Sequence, residues 1–284
     1  MVFLKSVASV FLAVVLIFTS ACTNVIFQPS HEQFIDPGQI GVPVDELFIK
    51  SGDAVLHGWH LPASAPIRGT VLFLHGNGQN VSAHLGATYW LPKHGFEVYM
   101  FDYRGYGQST GTPDIDGVQK DAGNMLAWTA RESCLHGHKL TVLGHSFGAS
   151  LAIYATASYP QKQRLNGLIS VSAFSDYREI SRDALSRHWF TRLFKWPLSL
   201  TISNRYRPAA FISEISPLPV YILHSPDDTI VPAYHVDKLF AAALPPKYRV
   251  DLVGDHNDAF NPESNRRKLL DILHTLGKRT GACT

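Results

Sequence analysis

Two serines sit between glycines at the spacing glycine-x-serine-x-glycine. They are Ser146 in Gly144-His145-Ser146-Phe147-Gly148 and Ser109 in Gly107-Gln108-Ser109-Thr110-Gly111. A serine hydroxyl is a weak nucleophile until a base takes its proton. The glycines serve it mechanically. A serine on a sharp strand-to-helix turn is lifted clear of the backbone, and neighbours without a Cβ relieve the crowding. Such a turn needs a buried strand before it and a helix directly after it. Ser146 has both, the apolar run Leu140 to Leu143 and the helix-forming stretch Ala149 to Ala155. Ser109 is followed by Thr112-Pro113-Asp114, which reads as loop and helix start. Ser146 is the candidate nucleophile, and Ser109 reads as a turn residue.

A base and an acid must complete the site. Downstream of Ser146 lie His188, His224, His235, His256 and His274. His256 stands in Val253-Gly254-Asp255-His256-Asn257, after the last strand-like run and before the last helix, where a loop can reach back over a sheet. His274 lies inside a helical pattern and His224 ends a strand. The acid must hold the imidazole tautomer and stabilise its charged form. Asp227 and Asp228 both follow the preceding strand, and their spacing does not choose between them. Asp255 and Asp258 flank the histidine too closely for good geometry to its ring. A tetrahedral oxyanion needs backbone N–H donors. Phe147, next to the serine, offers one. The loop His75-Gly76-Asn77-Gly78 after an apolar strand offers another, placed at Asn77.

The elements around these residues alternate. Val44 to Lys50 and Ala54 to Leu61 read as strands joined by a Gly52-Asp53 turn, an antiparallel hairpin. Strands follow at Gly69 to His75, Phe96 to Asp102, Leu140 to Gly144, Leu165 to Val171, Pro219 to His224 and Tyr248 to Val253. Helices are expected up to about His94, over about 114–133, Phe147 to Ser158, Val231 to Ala243 and Pro262 to Leu276. This alternation predicts a mostly parallel central sheet with helices on both faces. Residues 173–216 break the rhythm with a connection of more than 40 residues, which reads as a lid insertion.

At 284 residues the chain suits one large domain, placed at 44–278 behind a tether at 23–43. The formal net charge of +2 is too small for nucleic acid to be the main partner. The 14 histidines show no HExxH or paired-ligand spacing, and Gly105, Gly107 and Gly111 do not match a phosphate-binding loop. No metal and no cofactor are implied.

Residues 1–22 have the layout of a secretory signal: Lys5, the apolar run Val7 to Phe18, then Thr19-Ser20-Ala21 before Cys22. Small residues directly before a cysteine resemble the lipobox of bacterial lipoproteins, departing from it at Thr19, where that pattern usually has Leu. The resemblance implies lipid attachment at Cys22, export and anchoring in a cell-envelope membrane. Cys134 and Cys283 then remain, either paired or as two free thiols.

His75-Gly76-Asn77, the loop Asp102 to Gly111 (DYRGYGQSTG), Gly144 to Gly148 and His224 to Pro232 together resemble the α/β-hydrolase superfamily over about residues 44–278. The similarity is to the branch with HGN, DYRGYGxSxG, GHSxG and HGxxDxxVP motifs. Ser225 stands where that branch has Gly. The resemblance implies an α/β-hydrolase fold. Aligned on Val231-Pro232, it puts the acid at Asp228. It implies hydrolysis of carboxylic esters or thioesters through an acyl-enzyme, on a small-molecule or acylated substrate. A peptidase or amidase, or a non-catalytic module on the same scaffold, are the alternatives. Serine at the elbow argues against dehalogenase or epoxide hydrolase chemistry, which uses Asp there.

Between Arg178 and Arg207 the chain carries seven Lys or Arg against Glu179 and Asp183, with Trp189, Phe190, Phe194 and Trp196 interleaved. Either these aromatics close over the core, or they form an interfacial face whose cations meet anionic lipid.

Overall fold

The computed structural model describes residues 27–278. Eight strands form one sheet: β1 (Asp45–Ser51), β2 (Ala54–Leu61), β3 (Gly69–Leu74), β4 (Phe96–Phe101), β5 (Leu140–His145), β6 (Leu165–Val171), β7 (Val220–His224) and β8 (Lys247–Asp251). Their order is β8-β7-β6-β5-β3-β4-β2-β1. All pairings from β4 across to β8 are parallel, while β2 runs antiparallel to both β1 and β4. The expected hairpin therefore caps one edge of a parallel sheet.

The parallel strands are apolar on both faces because both faces are covered. Along β3, Leu72 and Leu74 point to one core and Val71 and Phe73 to the other. The first core is closed by α2 (Ile115–Leu135), α3 (Phe147–Ser158) and α8 (Ala233–Ala242). The second is closed by α9 (Glu263–Gly277) and the segment from Val81 to Leu91. This is the α/β-hydrolase fold with helices on both faces.

The helix expected up to His94 is instead a short α1 (Val81–His84) followed by 3-10 turns at Leu85–Ala87 and Leu91–His94. Gly86 and Pro92 are both costly in a helix interior. The tether expected at 23–43 is seated on the domain from Phe27 onward. Phe27 is buried edge-on against Phe147, and the Gly107 N–H donates to the Ser30 carbonyl at 3.0 Å.

Between β6 and β7 the insertion forms α4 (Tyr177–Ser186), α5 (Trp189–Arg192), α6 (Lys195–Leu200) and α7 (Pro208–Phe211). Asp176 caps α4, its carboxylate accepting from the N–H groups of Arg178 and Glu179. Cys134, at the end of α2, is disulfide-bonded. Cys22 and Cys283 lie outside the described residues, as does the leader at 1–22. Among the described residues, no helix is long and apolar enough to cross a membrane.

Candidate active site

Ser146 occupies the turn between β5 and α3, with φ 55° and ψ −118°. A non-glycine residue held at positive φ costs on the order of 1–3 kcal/mol, so the surroundings must enforce it. They do so by close packing. A Cβ on Gly144 would sit 2.5 Å from the Ala149 Cα, and one on Gly148 would strike the carbonyls of Leu74 and His75. Glycine at 144 lets α3 turn back tightly over the end of β5, and glycine at 148 lets it start directly against the end of β3. The Ser146 N–H donates to the Val171 carbonyl at 2.8 Å, which pins the turn to β6.

The loop after β3 lies against this turn. A Cβ on Gly76 would be 3.8 Å from the Ser146 Cβ. Tyr106 donates its hydroxyl to both the backbone carbonyl and the side-chain oxygen of Asn77, at 2.9 Å each. Tyr103 donates to the His75 carbonyl at 2.9 Å. Both tyrosines come from the DYRGYGQSTG loop, which thus buttresses the His75-Gly76-Asn77 turn. The same loop is anchored by Arg104, whose backbone N–H, Nε and Nη2 all donate to Asp121, at 2.9–3.0 Å.

Ser109, the second serine at that spacing, is a buried staple within this loop. It accepts from the His57 N–H at 2.9 Å and donates to the Asp102 carbonyl at 2.8 Å. It does not line the cavity that contains Ser146.

His256 follows β8 and is buried. Its Nδ1–H donates to Asp228 Oδ2 at 2.8 Å. The other oxygen of Asp228 accepts from the N–H groups of Ile230 and Val231, at 2.9 and 2.7 Å. Burial alone would raise the Asp228 pKa. The bond from His256, its charge, the Val231 N–H and the Ser172 hydroxyl outweigh that and bring it down to about 2. Asp227 points outward and is exposed. The structure therefore separates the two neighbours that spacing left open.

Asp255 does not touch the His256 ring. Its carboxylate accepts from the His256 backbone N–H at 2.7 Å and from the N–H and hydroxyl of Thr229, at 2.8 and 2.9 Å. It joins the acid loop to the histidine loop, a role invisible in sequence because it depends on two distant turns meeting.

Two further histidines stand beside the serine. Burial, then the charge of His256, lowers the pKa of His145 to about 3, and burial, then His75, lowers that of His84 to about 4. Both rings are neutral at ordinary pH. His145 faces the His256 carbonyl through Nε2 at 3.2 Å, and His84 faces the Gly78 carbonyl through Nε2 at 2.9 Å. His224 is buried near Asp228, its Nδ1 3.7 Å from Oδ2, while His274 lies in α9 against Phe96.

Ser146, His256, Phe147 and Asn77 all line one cavity of about 820 Å³. Ile180, Ala184, Leu185, Leu198, Ile202 and Ile230 make much of its wall. Arg187 is on the wall too, and among the described residues no Asp or Glu is. Arg187 donates to the carbonyls of Thr229 and Ile230, at 3.1 and 2.6 Å, tying the lid to the acid loop.

The model of the Hydrolase_4 family, described as serine aminopeptidase S33, matches residues 65–213. The chain belongs to the Hydrolase_4 family. The matched span runs from β3 through the lid and contains the elbow and the His75 loop, while Asp228 and His256 come after it. The chain is also similar to the YfhR protein of Salmonella typhi, with 28% identity over 273 residues, covering 90% of this chain and 89% of that one. It is 29% identical over 213 residues to the lysophosphatidylserine lipase ABHD12 of Macaca fascicularis, covering 70% of this chain and 52% of that one. Among solved structures, an esterase of Pyrococcus furiosus superposes with a TM-score of 0.71 at 17% identity, covering 89% of this chain and 98% of that one. That last likeness is one of fold. As a Hydrolase_4 member the protein is a hydrolase.

Proposed function

We propose that this Hydrolase_4 protein hydrolyses carboxylic esters or thioesters through an acyl-enzyme on Ser146. The observation that carries the reading is the His256–Asp228 hydrogen bond opening onto the same cavity as a serine held at positive φ. With Nδ1 committed to Asp228, His256 Nε2 is the nitrogen that accepts the Ser146 proton as Oγ attacks the acyl carbon. Asp228 fixes that tautomer and stabilises the imidazolium. The N–H groups of Asn77 and Phe147 receive the oxyanion. His256 then returns the proton to the departing alcohol or thiol, and water, deprotonated by the same nitrogen, releases the acid and frees Ser146.

The wall of the cavity favours an apolar acyl group. An aminopeptide substrate would bring a free ammonium into a site whose lining, among the described residues, holds Arg187 and no Asp or Glu, and a buried charge without a partner is costly. ABHD12, to which the chain is similar, is named a lysophosphatidylserine lipase, and that name supports the acyl-ester reading. Lipid attachment at Cys22, with export to the cell envelope, remains part of the proposal. Intact mass of the native protein tests it, since an unmodified chain starting elsewhere would overturn it. The test of the chemistry is labelling by a fluorophosphonate probe. Wild type should label and Ser146→Ala should not; an unlabelled wild type would leave a scaffold without hydrolytic chemistry.

A further inference from the structure

The lid has two faces. Thr191, Leu198 and Thr201 line the cavity. On the same two short helices and the turn between them, Trp189 (81% exposed), Phe190, Leu193 (71%), Phe194, Trp196 (60%) and Leu200 face outward. The aromatics that could have closed over the core stand in solvent instead. Six large apolar side chains within twelve residues form a patch of the kind that marks an interaction surface.

Charge says what it meets. Both acids between Arg178 and Arg207 turn toward the body of the domain. Asp183 accepts from Tyr234 and His235, and Glu179 is paired with Lys238. The lid cations are not neutralised in return. Arg205 has Asp116 within 3.9 Å, but Arg182, Arg192 and Lys195 have no carboxylate within ion-pair distance among the described residues. Arg182 instead lies over the Trp196 ring at 4.6 Å. Aromatic rings flanked by unpaired cations suit the headgroup zone of an anionic membrane, where the rings sit at the interface and each cation meets lipid phosphate.

We propose that the outer face of α5 and α6 docks on an anionic lipid bilayer. Docking places the cavity, one lid layer away, next to the lipid. The surface stands independently of the hydrolytic reading, because it is defined by residues that do not line the cavity.

The test uses the full chain and vesicles of phosphatidylglycerol or phosphatidylcholine whose acyl chains are brominated to quench tryptophan. Phosphatidylglycerol vesicles should quench the wild type more strongly than phosphatidylcholine ones. Trp189→Ala with Trp196→Ala should lose that quenching, since of the other three tryptophans Trp59 and Trp90 are buried in the domain and Trp128 is half-buried against Tyr99 and Phe101 on the core. Arg192→Gln with Lys195→Gln should weaken anionic binding by about fivefold per charge. All variants share one N-terminus, so an anchor at Cys22 contributes equally to each. Turnover of a soluble short-chain ester should stay at the wild-type level in each, which separates lost docking from lost catalysis. Equal quenching of wild type and the Trp189/Trp196 variant would overturn the proposal. So would self-association of the wild type that the same double variant abolishes without any vesicle effect, because the face would then pair with a second copy.

Discussion

Asp255 and Thr229 are joined by the threonine N–H, which donates to Asp255 Oδ1 at 2.8 Å, and by its hydroxyl, which lies 2.9 and 3.0 Å from the two carboxylate oxygens. Through this pair the loop carrying Asp228 is fastened to the loop carrying His256. A ring misplaced by an ångström can cost about a hundredfold in rate. Asp255→Ala should therefore lower kcat by about ten- to a hundredfold with little change in KM, and Asp255→Asn, which keeps an acceptor for Thr229, by less. Steady-state kinetics on a soluble ester checks this, and an unchanged kcat would mean that the two loops hold their places without the clamp. The hydrogen bonds from Thr229 and His256 keep the Asp255 carboxyl below the usual carboxylate range. A depressed folded pKa means the clamp is fully formed above the unfolded pKa and is lost as pH falls through the folded value.

The two serines should separate cleanly. Ser146→Ala should abolish ester hydrolysis while leaving the melting temperature near that of the wild type. Ser109→Ala should do the opposite, keeping most activity while losing stability. It leaves the buried His57 N–H without its acceptor, which costs about 1–3 kcal/mol. Activity assays beside thermal unfolding distinguish the two. Comparable residual activity in both variants would mean that the nucleophile lies elsewhere.

Asp228→Asn should reduce turnover by several orders of magnitude, because an amide favours the wrong histidine tautomer. Asp227→Asn, on an exposed side chain, should change it little. The reverse order would move the acid to Asp227. Asp228 also predicts an acid limit to stability. With its pKa pulled down to about 2, its contribution is complete above the ordinary carboxylate value of about 4 and disappears as pH falls through about 2. Unfolding midpoints measured from pH 5 downward should show the wild type losing stability over that window, and Asp228→Asn lacking that component.

Two glycine substitutions should have opposite signs. Gly148→Ala puts a methyl group onto the carbonyls of Leu74 and His75 and should destabilise by about 1–3 kcal/mol or prevent folding. Gly123→Ala, inside α2 with nothing within 4 Å of the added carbon, should stabilise by about 0.5–1 kcal/mol. Thermal unfolding of both variants tests whether the elbow or the helix sets each sign, and a Gly148→Ala as stable as wild type would refute the close approach of α3 to β3.

Acyl length should matter. Each CH₂ buried against Ile180, Leu185 and Ile202 can add about 0.8 kcal/mol of binding. Turnover per unit KM should rise at least tenfold from acetyl to octanoyl esters of one alcohol, while an aminoacyl anilide should be a poor substrate. Equal rates on acetyl and octanoyl esters would show that the acyl group does not enter this part of the cavity.

Local signals carried much of this protein. A glycine-flanked serine between an apolar run and a helix former specifies the elbow at Ser146, because strand period, helix propensity and steric relief all act within a dozen residues. The alternation of strands and helices similarly specified the parallel sheet and its antiparallel edge. Where the sequence misled, the reason was again local: Gly86 and Pro92 broke a helix that apolar content alone suggested up to His94. What needed the tertiary structure were choices made by distant partners. The resemblance, aligned on Val231-Pro232, pointed to Asp228, but spacing alone did not choose between it and Asp227; in the structure it is the Asp228 carboxylate that meets the His256 ring from across the fold. Asp255 became a clamp only because Thr229 lies beside it across two loops. That the lid aromatics face outward was likewise decided in space, where Tyr234, His235 and Lys238 hold the acids on α4 against the domain and Arg187 fastens the end of that helix to the acid loop. Burial and hydrogen bonding are properties of what meets in space, and a chain read in order does not contain that information.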